Sequence, residues 1–319
     1  CSVILFTADW HLKLGQKNVP VEWAKKRYRE FFHQISEIES RCTTHIIGGD
    51  LFDRLPTMEE LELYFSFVAN VKIPTIIYDG NHEATKKNKT FFTQLKEVTK
   101  DINELVLIVD KVTNFNGEFT VLPYCDLHKP RIFYEIDEDI PLFTHVRGEI
   151  PPHVKPEIDL DLLKDFPIVL AGDLHAHSNT QKNIVYPGSP MTTSFHRNEV
   201  ETGYLLIDEN FNWKWYKFEL PQLLRKTVDS PDKMIPSEYH HTIYELEGDI
   251  QDLSQVKNSE LLDKKVVKRS TEATLVLDKE MTVSEELAEY LEYILELPKS
   301  KISSIIGTFN DYSKTATVE

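Results

Sequence analysis

Four short stretches of this sequence carry side chains able to hold a hard or borderline cation. They are Asp9-Trp10-His11, Gly48-Gly49-Asp50-Leu51-Phe52-Asp53, Gly80-Asn81-His82-Glu83 and Gly172-Asp173-Leu174-His175. Carboxylate oxygens, imidazole nitrogens and an amide oxygen together suit manganese, iron, magnesium or zinc without any thiolate. A two-metal centre wants about seven such donors, with one carboxylate between ions roughly 3.5 to 4 Å apart. Singly, each stretch is ordinary, because a D-x-H pair is most often a capping Asp beside a surface His and Gly-Asp after a strand is turn chemistry. All four in order, each closing an apolar run, exceed what turn chemistry explains.

The apolar runs that must position them are residues 3–7, 44–47, 74–78 and 167–171, all read as strands. Ala24, Tyr28, Phe31, Ile35 and Ile38 mark one face of a helix, and residues 58–68 predict another. This is βαβ alternation, which places ligands at the carboxyl ends of the strands, so the four loops should share one rim. Residues 204–207 and 213–218 continue the strand pattern, the latter alternating as an edge strand does. Residues 130–156, with an acidic run and Pro151-Pro152, read as a long surface loop. A first domain is expected over residues 1–221. A small α+β unit follows over 222–280, with strands at 239–246 and 273–277. In 281–319, Thr282-Val283-Ser284-Glu285 has capping-box spacing. Leu287, Leu291, Ile294 and Leu295, then Ile302, Ile305, Ile306 and Phe309, form two helical stripes that fold back on the body or dock on a partner.

Against 52 Asp+Glu stand 36 Lys+Arg, a net charge of -16, which excludes a generally basic coat for nucleic acid. With 41% hydrophobic and 28% charged residues, the chain has the composition of a soluble globular protein. Cys1, Cys42 and Cys125 lack CxxC spacing, which argues against a disulfide framework or a thiolate zinc site and makes a reducing cytosol the expected setting. The apolar start meets charged residues long before a membrane span would be complete.

The ordered set D-x-H, GD, GNH and G-x-x-H resembles the calcineurin-like metallophosphoesterase superfamily. Within it, Gly49-Asp50-Leu51-Phe52-Asp53 and Tyr186-Pro187-Gly188-Ser189-Pro190 resemble the SbcD/Mre-eleven nuclease family, especially its shorter versions in tailed phages. The motifs cover the chain to about residue 220. The resemblance implies an α/β fold, a β-sandwich flanked by helices, followed by a small α+β capping domain and C-terminal amphipathic helices. It implies two divalent ions, manganese or magnesium, with Asp9 and His11 on the first, Asp50 bridging and Asn81 on the second. The family's isolated His is best matched by His145, because Pro141-Leu142-Phe143 leads into it as a strand would; His128 and His153 sit among Pro and charged residues. The family's usual G-H-x-H is replaced here by Gly172-Asp173-Leu174-His175, with His177 beyond. The Gly172 anchor makes Asp173 and His175 the ligands; the rival register uses His175 and His177, with Asp173 as an acceptor behind them.

The implied chemistry is in-line attack of hydroxide on phosphorus. His82 would stabilise the transition state or protonate the leaving 3′ oxygen, with Glu83 expected to orient it and Asp53 left without an assigned role. Lys13, Arg54, Lys86, Lys87, Lys89 and Arg197 follow the motifs and could take DNA phosphates at the rim, whereas Lys25, Lys26, Arg27 and Arg29 read as a solvent face. The resemblance further implies 3′ to 5′ exonuclease and single-strand endonuclease activity. It implies an SbcC-type ATPase docked on 281–319, a homodimer, a cytoplasmic location, that of the host for a phage protein, and a place in recombination, repair or replication. The alternatives are a phosphatase or cyclic-nucleotide phosphodiesterase on the same site, and a scaffold with a degenerate metal site, favoured only by Asp173.

Overall fold

The computed structural model describes residues 1–86, 89–267, 282–293, 295 and 297–315. They divide into two compact units, one of Cys1–Thr227, Met234–Tyr244 and Ser259–Asp263, the other of Val228–Lys233, Glu245–Asn258 and Lys264–Glu319. In chain order come β1 (Ile4–Thr7), α1 (Val21–Glu39), β2 (Thr44–Gly48), α2 (Met58–Asn70) and β3 (Thr75–Tyr78). A hairpin of β4 (Ala84–Lys86) and β5 (Lys89–Thr90) leads to α3 (Phe92–Ile102), β6 (Val106–Val109), β7 (Thr113–Phe115), β8 (Phe119–Leu122) and α4 (Tyr124–Leu127). Then come β9 (Leu142–His145), β10 (Val169–Gly172), β11 (Ile184–Val185), β12 (Gly203–Ile207), β13 (Trp213–Lys217), β14 (Leu223–Val228) and β15 (His241–Gly248). The last are α5 (Ile250–Gln255), β16 (Leu262–Val267), α6 (Val283–Tyr293) and α7 (Lys299–Thr315).

The first unit is built on two sheets, ordered β13-β12-β1-β2-β3-β6 and β11-β10-β9-β8-β7. Strands β1, β2, β3 and β6 run parallel, as do β8, β9, β10 and β11, so their carboxyl ends emerge together. Alternate residues of each strand face opposite ways. Leu5, Ile47 and Ile77 pack with Tyr28, Phe31 and Phe67 of the helices. Ile4, Phe6, Ile46 and Tyr78 pack instead with Val121, Phe143 and Leu170 of the second sheet, where Phe6 and Phe143 meet edge to face at 5.2 Å. Being covered on both faces, these strands read as unbroken apolar runs. The β-sandwich flanked by helices is therefore the fold expected.

Three details differ from the sequence reading. Residues 130–156 are not one surface loop, since β9 within them is wholly buried in the middle of the second sheet. Strands β6, β7 and β8 in the first part of the chain, and β14 and β16 later, went unread. Arg27 does not lie on a solvent face: it is buried, and its Nη1 donates to the Thr192 carbonyl and hydroxyl, both at 3.0 Å.

In the second unit, the Thr282 hydroxyl accepts from the Glu285 amide at 3.3 Å while the Glu285 carboxylate accepts from the Thr282 amide at 2.8 Å, closing the expected capping box. Helices α6 and α7 pack on each other and bury Leu291 and Ile302. The strand expected at 273–277 and Ile294 lie outside the described residues. Among the described residues no helix is long and apolar enough to cross a membrane.

Candidate metal centre

The loops that leave β1, β2, β3, β9 and β10 meet at one rim because their backbones are tied together. The Asp9 amide donates to the Gly49 carbonyl at 3.0 Å and the His11 amide to that of Asp50 at 2.9 Å, so the first loop runs beside the second. Gly80 has to be a glycine, because a Cβ there would overlap Asp50 Oδ1 and lie 2.7 Å from His145 Cε1. Asp9, His11, Asp50 and Asp173 all have positive φ, of 57°, 47°, 50° and 114°. Such conformations are rare outside glycine, and four in one site show that packing is overriding local backbone preference to aim these side chains.

The side chains expected as ligands form two adjoining groups, and His11 with Asp53 and His82 forms a third at the edge. In the first, one ligand atom each of Asp9, His11 and His175 lies within 4.8 Å of the others, and His11 Nε2 faces His175 Nε2 at 3.1 Å. In the second, Asp9, Asp50 and His145 meet the same limit, with Asn81 Oδ1 3.0 Å and Asp173 Oδ1 3.7 Å from His145 Nε2. Asp50 Oδ2 is 3.3 Å from His145 Nε2 and 3.6 Å from His11 Nε2, so it reaches both groups. His177 stands apart: its Nδ1 donates to the Tyr186 carbonyl at 2.7 Å and its ring stacks on Trp215. His128 pairs with Glu157 at 3.1 Å instead of entering the cluster.

Two other expectations change. Glu83 does not orient His82; buried, it accepts the Leu51 amide at 2.7 Å and pins the Asp50 loop. Asp53 does the orienting: its carboxylate takes His11 Nδ1–H at 3.1 Å, and its carbonyl takes the proton of His82 Nδ1 at 2.6 Å. Both bonds commit Nδ1 and turn Nε2 of each ring away from Asp53, that of His11 able to offer a lone pair to a cation and that of His82 able to carry a proton. Lys13 and Arg54 are engaged with acids, at 3.0 Å to Asp53 and 2.6 Å to Glu60. Arg197 donates to Thr227 at 3.1 Å. Lys86 and Lys89 are exposed on the hairpin, and Lys87 lies outside the described residues.

Sequence reasoning missed Arg147, whose Nε lies 3.6 Å from Asp173 Oδ2, and Asp79, buried directly before Gly80. Asp79's position beside the third motif was a usable signal. Nothing in the sequence signalled Arg147. Ser189 holds two loops together, its hydroxyl donating to the Asp9 carbonyl at 2.8 Å and its amide to that of His175 at 2.9 Å. We predict that Ser189→Ala weakens cation binding by about tenfold, the low end for residues that only support ligands. Calorimetry would show this, and undiminished affinity would remove the role.

The donor set suits cations. Burial pushes the Asp9 carboxyl well above its ordinary value, as do its neighbours Asp50 and Asp173, and burial likewise raises Asp173. Burial and the adjacent His11 lower His175 to about 4, leaving it neutral and able to donate a lone pair. Burial raises Asp79 to about 7. Among the described residues, Arg147 is the only Lys or Arg that ion-pairs with Asp9, Asp50 or Asp173. Three carboxylates crowded out of water call for positive charge, and the imidazole lone pairs and amide oxygen beside them supply neutral donors.

A sandwich carrying this donor set on its loops defines a metal-dependent phosphoesterase. Residues 2–213 match the calcineurin-like phosphoesterase family, and the chain belongs to it. It is 37% identical over 322 residues to the protein named exonuclease subunit 1 of Escherichia phage T5, covering 98% of both chains. It is also 28% identical over 258 residues to phosphoesterase 244L of Invertebrate iridescent virus 6, covering 72% of this chain and 82% of that one. The crystal structure of TT1561 of Thermus thermophilus matches with a TM-score of 0.43 at 12% identity, covering 68% of this chain and 98% of that one.

Proposed function

We propose that the chain is the nuclease subunit of a two-component DNA-processing enzyme, hydrolysing phosphodiester bonds as a 3′ to 5′ exonuclease and single-strand endonuclease. The observation that carries the reading is the convergence of Asp9, His11, Asp50, Asn81, His145, Asp173 and His175 at one rim. Similarity along nearly the whole length of a phage protein named as an exonuclease subunit supports DNA as substrate and a second subunit as partner.

In this reading Asp9, His11 and His175 would hold one divalent ion and Asn81, His145 and Asp173 the other, with Asp50 placed to serve both. Manganese is the expected metal, with magnesium as substitute, because oxygen donors dominate the second set. When bound, the ions supply Lewis-acid polarisation of the phosphoryl group and lower the pKa of water into the neutral range. The protein fixes the donors through the Asp53 and Ser189 contacts. It presents His82 at the open edge, where His82 Nε2 can carry a proton to the leaving oxygen.

Residues 222–280 would form a capping domain that positions DNA, and α6 and α7 would dock an SbcC-type ATPase. A homodimer, action in the host cytoplasm and a part in recombination, repair or replication complete the proposal. The direct test is hydrolysis of linear duplex DNA against a phosphomonoester, with manganese and with EDTA. Preference for the monoester would sink the nuclease reading. Lys86→Ala with Lys89→Ala is expected to weaken DNA binding and lower the slope of log K against log salt by about 1 to 2, close to 0.9 per lost phosphate contact. An unchanged slope would remove the hairpin from the DNA interface.

A further inference from the structure

On α1, Trp23, Arg27 and Glu30 are spaced to share a face. With Lys26, Arg29 and Tyr239 they line a cavity of 350 Å³. Arg27 is its unusual member. The residue is only 4% exposed, its Nε is buried without a hydrogen-bond partner, and among the described residues no carboxylate lies within ion-pair distance of it. Its partners are oxygens without charge, on Thr192 and Pro221, the face of Trp23 at 4.9 Å and the neighbouring Tyr28, whose ring lies 5.9 Å away. Burial lowers the guanidinium from its ordinary value, as expected of a cation held without a counter-charge. A buried charge of this kind is unfavourable if nothing offsets it. Lys26 and Arg29, both exposed, bring the lining to three cations against the carboxylates Glu30 and Glu238, so the surplus is positive.

The cavity also offers a ring. Tyr239 is half exposed, and a tyrosine face can stack with a base as in single-strand binding. Cations for a phosphate beside a ring for a base are the complement of one nucleotide, and the volume falls within the roughly 300–1,000 Å³ of small-ligand sites. The cavity is also connected to the metal centre. Arg27 grips Thr192, and the next residue, Thr193, places its hydroxyl 3.3 Å from His175 Nδ1.

We propose that this cavity is a second nucleotide subsite, which takes one phosphate-bearing nucleotide of a DNA strand away from the scissile bond and is coupled to His175 through Thr192 and Thr193. The choice of a nucleotide rests on the nuclease reading; the site itself rests on Arg27, Lys26, Arg29 and Tyr239.

The test is calorimetric titration of thymidine 5′-phosphate and, separately, inorganic phosphate into the full chain in EDTA, which keeps the metal centre out of the measurement. Thymidine phosphate should bind, and Tyr239→Ala should weaken it by about tenfold. The same substitution should leave the weaker binding of inorganic phosphate unchanged. Lys26→Ala with Arg29→Ala should weaken both. These side chains are exposed, so the variants should fold, and unchanged circular dichroism would confirm it. Absence of binding at millimolar ligand, or binding indifferent to all three substitutions, overturns the subsite even if DNA is cleaved. Binding that depends on them, with no DNA cleavage, keeps the subsite and overturns the nuclease reading instead.

Discussion

Asp50→Asn should reduce metal-dependent hydrolysis by roughly 10³-fold or more, well beyond the 10- to 100-fold typical of residues that merely orient ligands. The reason is position. Oδ1 accepts the His82 amide at 2.9 Å, while Oδ2 lies between His145 at 3.3 Å and His11 at 3.6 Å. The same carboxylate thus faces both donor groups and ties the catalytic loop to them. Asparagine keeps the shape, removes the charge and turns an NH₂ toward nitrogen lone pairs or cations, so neither group retains a full set of donors. Calorimetry should show the two-ion stoichiometry lost, with circular dichroism unchanged. A variant that kept about a tenth of the activity would contradict the central role, because so mild a loss belongs to outer residues.

The same cluster sets how uptake depends on pH. Burial alone would lower His145, but Asp50, Asp9 and Asp173 together push it well above an ordinary imidazole. Without cations it therefore keeps a proton to higher pH than a free imidazole does, and burial moves the Asp9 carboxyl in the same direction. A cation must displace those protons, so affinity should rise with pH until both groups are free of them. Titration in buffers of different ionisation enthalpy would measure the protons released.

Much of this site was legible because parallel strands buried on both faces give unbroken apolar runs, and chemistry-bearing residues stand out where the runs stop. Asp9, Asp50, Asn81 and Asp173 each occupy such a stop. What remained hidden depends on contacts across long separations. Arg147 matters because it reaches Asp173, and Arg27 is buried because Thr192 and Pro221 close over it. The part expected of Glu83 fell to Asp53, to which the sequence had assigned none, for a related reason. Residue spacing shows which carboxylates are near His82 in the chain, whereas the fold of the Asp50 loop decides that a backbone carbonyl, that of Asp53, takes its proton.

His82→Ala should separate chemistry from cation binding. His82 is exposed at the edge of the cluster, with its ring 4.8 Å from that of His11 and perpendicular to it. Its Nδ1–H is committed to the Asp53 carbonyl, so the atom left to meet substrate is Nε2. Its backbone amide, not its side chain, supports Asp50 and survives the substitution. The variant should therefore take up two cations with parental affinity while kcat falls about 10²- to 10⁴-fold, the usual range for a lost general acid. If the lost step is proton delivery, the deficit should shrink on a substrate whose leaving group needs no proton, such as a p-nitrophenyl ester. Equal losses on both substrates would assign His82 to charge stabilisation at the phosphoryl group. Weakened cation binding with kcat preserved would instead show that the imidazole belongs with the ligands, and that proton transfer comes from elsewhere.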